Sequence, residues 1–388
     1  MSATAAQFVV GFQVLALLFV AWAILLLVLG SSQTAPAVRS RLRSWVVRER
    51  SQVRVPWVAL ALALAYGAAR LAWNEEAQTA RLADLIAGEA MLPFQFRALV
   101  PWAVGEVASL PGLGAVPLSV WFAAVEVGAA WAAWAAFRSF LEAYEWDRAR
   151  ASVAALALPV VLGLGLATPW RYNAIYFPWD TVSVAAFTMG LVLMKRRSWA
   201  AYYVLFALAT VNRETTCFLT LAYVLSELGR QPLGRLAGHA AAQLAIWLGI
   251  KALLAVAFGA NEPVADHAAA GLFSSTVIRS VWILTSVPGI VYLGLAMGGA
   301  WVVAALLRGR IAGAPFARLF RVVPVFLLGM VFVGELMEVR IYSELVPLAT
   351  AGLVTALASV AREAVARAPT PGAAAPEAPV VPLAEAAS

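Results

Sequence analysis

Two residue types with chemical potential recur between the apolar runs of this sequence: carboxylates and arginines. The stretch from Trp73 to Trp102 holds Glu75, Glu76, Asp84 and Glu89, followed by a Pro-Phe-Gln-Phe-Arg run that ends at Arg97. Carboxylates can move protons, and a guanidinium fork can hold an oxyanion in a bidentate grip. Further on, Arg171 sits in TPWRYNAIYFPWD with Asp180, Arg213 abuts Glu214, and Arg340 lies in GELMEVRIYSEL among Glu335, Glu338 and Glu344. The single cysteine, Cys217, excludes an intramolecular disulfide, and with only His239 and His267 a zinc site built from His and Cys is not expected. No metal ligand set is assigned, and a divalent metal would have to be held by carboxylates.

These residues must be positioned by apolar segments, because the chain is 63% hydrophobic and only 13% charged over 388 residues. Its mean hydropathy is +0.83. That composition is too apolar for a soluble domain and predicts an all-α, polytopic integral membrane bundle of about eleven transmembrane helices over residues 1–366. The Ala-, Pro- and Glu-rich tail, 367–388, has no periodic apolar face and is expected to be disordered. The net charge of +7 does not indicate nucleic-acid binding, since the arginines fall in short runs between apolar segments, where positive-inside topology places them.

The alternation of basic runs sets a topology. An apolar run from Phe8 to Gly30 precedes a basic run from Arg39 to Arg54, so this segment reads as a reversed anchor with the N-terminus outside. Val55 to Trp73 then delivers the carboxylate loop to the outer face. Ala98 to Leu110 is too short to cross; Val116–Phe137, Ala151–Ala167 and Trp179–Met194 cross in turn, ending at Lys195-Arg196-Arg197. Two short helices flank Asn212-Arg213-Glu214. Leu236–Phe258, Trp282–Leu307, Val322–Gly334 and Leu345–Val360 complete the bundle, with the C-terminus in the cytoplasm. The expected compartment is the bacterial inner (plasma) membrane.

In that scheme Arg97, Arg171, Arg213 and Arg340 all lie on the outer side, where arginine is scarce. A charge at a helix boundary is costly unless it faces protein, water or a ligand, so a polar chamber shared by the four segments is expected. Arg213 and Glu214 are adjacent and cannot satisfy each other on a helix, so each must find another partner. Trp170, Tyr172, Tyr176 and Trp179 read as an interfacial belt rather than as sugar-stacking platforms. Glu126 and Lys251 fall near the middle of their crossings and are expected to pair as buried scaffold, with an ion path as the alternative.

The acidic first outer loop, PFQFRALVPW, YFPWDTVSVAAFTMGLVLMKRRSW, LFALATVNRETTCFL and ELMEVRIYSELVPL together resemble bacterial membrane proteins of the GT-C glycosyltransferase type. The resemblance covers most of the membrane region through short motifs. It implies a GT-C-like fold and transfer of a sugar from a polyprenyl-phosphate donor at the extracytoplasmic face, in cell-envelope glycan or glycolipid assembly. It also implies an outer-loop carboxylate as the base that activates the acceptor hydroxyl, which by position is Glu75 or Glu76, with Asp84 as substitute. Here the chain carries Asn74-Glu75-Glu76 in place of a single Asp motif, and an additional helix in front. Arg97, Arg171, Arg213 and Arg340, with Asp180, Glu214 and Glu338, would then bind the donor phosphate and sugar. The implied partners are the lipid-linked donor and membrane lipids. A secondary transporter or an envelope polysaccharide polymerase is the alternative, although no related halves are visible.

Overall fold

The computed structural model describes residues 51–166, 175–264, 274–311, 313, 315–334, 336 and 338–367. The expected first crossing, the basic residues before Ser51, Arg171, Glu335, His267 and the tail after Arg367 lie outside these residues. The regular elements among the described residues are helices, apart from one pair of two-residue strands and an isolated bridge between Leu92 and Pro263. Five helices are long and apolar enough to cross a membrane among the described residues: Arg54–Trp73, Leu118–Ala143, Arg148–Leu166, Leu233–Phe258 and Arg340–Glu363. Two shorter apolar helices, Trp199–Asn212 and Ala296–Leu306, accompany them.

In chain order, α1 (Ser51–Trp73) leads into β1 (Glu75–Glu76), α2 (Leu82–Ala87), a 3-10 turn at Phe94–Phe96 and the short α3 (Leu99–Ser109). Next come α4 (Leu118–Ala143), α5 (Arg148–Ala154), α6 (Ala157–Leu166), β2 (Ile175–Tyr176), α7 (Asp180–Lys195) and α8 (Trp199–Asn212). A 3-10 turn at Glu214–Cys217 joins α8 to α9 (Phe218–Glu227), which is followed by α10 (Leu233–Phe258). The last third comprises α11 (Ser274–Thr285), α12 (Val287–Leu295), α13 (Ala300–Leu306), α14 (Arg308–Ile311), α15 (Val322–Val333) and α16 (Val346–Arg367).

Helix α7 is central. It packs on α4, α8 and the 3-10 turn Val339–Leu345. Small residues bring the helices close, as expected where lipid supplies no hydrophobic drive for association. A Cβ on Gly190 of α7 would lie 2.6 Å from Leu219 of α9, and one on Gly67 of α1 would lie 2.7 Å from Val127 of α4. The core they close includes the fully buried Trp134, Phe137, Phe140, Tyr202 and Phe206.

One expected crossing is interrupted. Trp282–Leu307 is not a continuous helix: it breaks after Thr285, ahead of Pro288, and again at Ala296–Gly299, where Met297, Gly298 and Gly299 have φ of 53°, 61° and 73°. Proline removes a backbone donor and three successive left-handed residues reverse the helical sense, so apolar composition here does not mean one rod.

At one end of the bundle, β1 pairs in parallel with β2, Glu75 opposite Ile175 and Glu76 opposite Tyr176. The following loop is clasped by the segment that follows α10. Asn261 Nδ2 donates to the carbonyls of Gly88 and Ala90 at 2.8 and 2.9 Å, and Leu92 N donates to Glu262 O at 2.9 Å.

Candidate functional site

Asp180, the first residue of α7, anchors the polar cluster at this end. Its carboxylate is favoured by the helix N-terminus, and it is fully buried between two arginines. Arg70 Nη2 donates to Asp180 Oδ2 at 2.9 Å, and Arg213 Nη1 lies 3.5 Å from Oδ1. Arg70 is held further by the carbonyls of Leu166 and Ile175, at 2.9 and 3.4 Å, and pairs with Glu126 at 3.5 Å. Tyr66 and Thr181 hydroxyls donate to the same Glu126 oxygen at 2.9 and 2.5 Å. On the other side Arg213 pairs with Glu344 at 3.3 Å and donates to Ser343 Oγ at 2.6 Å, while Thr215 Oγ1 donates to Glu344. Side chains in this inner chain are 0–3% exposed. Each buried charge has at least one ion-pair partner, the condition for keeping it out of water.

A second, more accessible set surrounds it. Arg97 grips Glu214 with two hydrogen bonds of 3.1 and 2.5 Å, and Arg340 pairs with Glu338 at 2.7 Å. The two carboxylates are 34% and 25% exposed while the arginines are 10% and 8% exposed, so solvent reaches these pairs from the carboxylate side. Aromatic rings join the sets. Phe94 stacks on Phe177 with centroids 5.2 Å apart, and Phe177 meets Trp179 at a tilt with centroids 4.9 Å apart. The Arg97 guanidinium lies 5.1 Å from the Trp179 ring and that of Arg340 lies 3.9 Å from Phe177. Arg213 Nη2 donates to the Arg340 carbonyl at 3.4 Å. Arg97, Arg213 and Arg340 are therefore neighbours, as are their carboxylate partners.

The arrangement is rich in donors. Arg97 Nη1, Arg213 Nε, Arg340 Nε and Trp179 Nε1 are buried and have no acceptor among the described residues. A buried N–H without an acceptor is costly, and an anion is the ligand that removes the cost. Burial raises the Glu214 carboxyl, but the Arg97 guanidinium and its hydrogen bonds, then Lys251 and Arg213, more than reverse this and hold it well below the usual carboxylate range. Burial likewise weakens the Arg97 charge, and Glu214, then Asp180 and Glu338, more than restore it. Both stay ionised.

The carboxylates of the first loop stand apart from the inner chain. Glu75 and Glu76 are exposed and Asp84 is half-buried. Glu76 accepts the backbone N–H of Leu82 at the start of α2, whereas the Glu75 carboxylate has no hydrogen bond or ion pair to a described residue. Strand β1 nevertheless lies beside β2, which runs directly into Phe177. Arg171 falls outside the described residues.

Two expectations are corrected. Glu126 and Lys251 do not pair: Glu126 is bound by Tyr66, Thr181 and Arg70, and Lys251 lies 4.9 Å from the Phe96 ring. Tyr176 and Trp179 are 3% and 0% exposed, so they are site walls and not an interfacial belt; Trp170 and Tyr172 are outside the described residues. The neighbour of Arg97 in sequence, Glu89, is not its partner. Arg70 escaped sequence reasoning altogether, because a lone arginine one turn from a helix end reads as snorkelling. Its spacing from Tyr66, one helical turn earlier on the same face, was the available signal.

Among the described residues no group of three or more His, Cys, Asp or Glu is placed to hold a metal ion. The carboxylates at the site are engaged with arginines, an arrangement that does not resemble a ligand set for a divalent cation. Compared with known proteins, the chain matches no protein-family model, no curated protein and no solved structure.

Proposed function

We propose that the chain is a GT-C-like membrane glycosyltransferase that moves a sugar from a polyprenyl-phosphate donor to a hydroxyl acceptor at the extracytoplasmic face, in cell-envelope assembly. The reading includes a bundle of about eleven crossings, in which shorter helices such as α7, α8, α9 and α15 count as spans. The observation that carries it is the gathering of Arg97, Arg213 and Arg340 around Phe177 and Trp179, with buried N–H donors that lack acceptors. Such a group suits a phosphate held at a helix-end boundary, where its lipid tail can lie between helices.

The two sets take different roles. The Arg70–Asp180–Arg213–Glu344 chain holds α1, α7, the Glu214–Cys217 turn and the Val339–Leu345 turn in register. Arg97 and Arg340, whose partner carboxylates reach solvent, receive the donor phosphate. Glu75 is the base, since Glu76 is occupied at the start of α2. In the reaction the acceptor O–H gives its proton to Glu75, its oxygen bonds to the anomeric carbon, and the bond from that carbon to the phosphate oxygen breaks. The electron pair leaves on the phosphate, where Arg97 and Arg340 stabilise it as charge develops.

The test is turnover of a radiolabelled polyprenyl-phosphate hexose by purified protein in vesicles, with Glu75→Gln beside the wild type. Glu75→Gln keeps the shape and cannot accept a proton, so a fall of roughly 10²–10⁴ in turnover is expected. Full turnover in Glu75→Gln, Glu76→Gln and Asp84→Asn alike would remove the outer-loop base, and the transferase reading would then give way to transport.

A further inference from the structure

A cavity of about 370 Å³, lined by none of the charged residues of the arginine cluster, lies between the broken segment after α12 and helices α13, α15 and α16. Met297, Trp301, Phe320, Leu345 and Ala349 form much of its wall. The volume is within the range of ligand sites, roughly 300–1,000 Å³. Its wall offers almost nothing polar. The indole N–H of Trp301 is already spent on the Leu293 carbonyl at 2.8 Å, so a polar ligand would leave its own groups unsatisfied and a hydrocarbon chain would not.

Charge is present at one place only. Arg308 is the single charged residue lining the cavity; it is exposed and has no ion pair with a described residue. Its neighbour Arg310 is neutralised by Glu363. Arg318 and Arg321 lie in the 3-10 turn Ala317–Arg321, which lends Phe320 to the wall, and neither is ion-paired with a described residue. An apolar slot with an unneutralised arginine in its lining matches one chemistry: acyl chain inside, anionic headgroup outside. Basic pockets between membrane helices hold anionic lipid headgroups in this manner.

We propose that this cavity is a binding site for an anionic glycerophospholipid, with an acyl chain along Trp301, Phe320 and Ala349 and the phosphate on Arg308. The site shares no charged residue with the arginine cluster and does not depend on the transferase reading. Arg308 supplies headgroup selectivity, and the cavity supplies occupancy.

The experiment is native mass spectrometry of the full chain after exchange into micelles containing equal phosphatidylglycerol and phosphatidylcholine. Wild-type protein should retain phosphatidylglycerol in preference. Arg308→Gln, at an exposed position where folding is not at stake, should lower that preference about fivefold. Ala305→Trp, placed in the exposed lining at the mouth, should lower retention of both lipids. Arg54→Gln, an exposed arginine that is not among the cavity's lining residues, should change neither. Unaltered preference in Arg308→Gln overturns the headgroup assignment. Unaltered retention in Ala305→Trp means that the lipid is annular, and overturns the cavity assignment.

Discussion

Arg70 and Asp180 stand 110 positions apart in sequence and meet through a 2.9 Å hydrogen-bonded ion pair whose side chains are 1% and 0% exposed. The pair locks the end of α1 to the start of α7, and through Asp180 it reaches Arg213 and Glu344. Removing one partner leaves the other buried charge with only a longer contact, Glu126 for Arg70 and Arg213 for Asp180, each at 3.5 Å. Asp180→Asn is expected to destabilise the protein by roughly 3–5 kcal/mol, measured as loss of Tm in detergent. The double change Arg70→Met with Glu126→Gln should cost less than Arg70→Met alone, because Glu126 is then not stranded and Asp180 keeps Arg213; equal or greater cost would mean that Arg70 contributes more than neutralisation of Glu126.

Glu75 and Glu76 separate by role. Glu76→Gln keeps a side-chain acceptor for Leu82 N, so it should leave turnover within a few-fold and cost at most about 1 kcal/mol of stability. Glu75→Gln should leave stability unchanged and remove turnover. The measurement is activity and Tm on the same preparations, and the opposite pattern would move the base role to Glu76.

Arg97 holds Glu214 through two N–H groups, a geometry an ammonium cannot copy. Arg97→Lys and Arg340→Lys should raise KM for the lipid-phosphate donor by roughly tenfold or more, consistent with about 1.5–3 kcal/mol for a charged hydrogen bond. KM for the acceptor should not move. Equal changes in both KM values would point to a general distortion of the site.

Acid should spare the Arg97–Glu214 pair over a wide range. The Glu214 carboxyl titrates lower in the folded protein than its usual value of 4.5, so the folded state binds fewer protons than the unfolded state. Its contribution is thus fully present above that usual value and is lost as pH falls towards the folded value. The Tm difference between wild type and Glu214→Gln should stay constant from about pH 8 to pH 6 and shrink only below about pH 5. A difference that shrinks already near neutrality would show that Glu214 is not held ionised.

Topology is testable at Gln78, which is exposed in the loop between β1 and α2. A cysteine there, on a Cys217→Ser background, should react with an impermeant maleimide in intact cells. Reaction only after permeabilisation would place the site in the cytoplasm and remove the extracytoplasmic donor from the proposed reaction.

Much of the helix inventory was legible in advance. The apolar runs before Trp73, after Leu118 and before Phe258 are long, and hydropathy summed along a window is a local quantity that needs no knowledge of neighbours. That Arg213 and Glu214 must seek different partners also followed locally, since adjacent side chains on a turn diverge; Arg213 goes to Asp180 and Glu344, and Glu214 goes to Arg97. Which partners they find did not follow. Arg97 passes over Glu89, eight residues away, for a carboxylate 117 positions on, because the choice depends on which helix ends meet. The same holds for Arg70, an apparent snorkelling side chain that packing turned inward, and for Glu126 and Lys251, which two similar depths in sequence suggested as partners. The break at Met297–Gly299 stayed hidden in an apolar run, since composition records the solvent a segment prefers while backbone handedness there is set by what packs against it. Sequence by itself determined that helices and arginine-rich ends exist; tertiary packing decided which charges share a low-dielectric space, and it is that proximity which makes them a site.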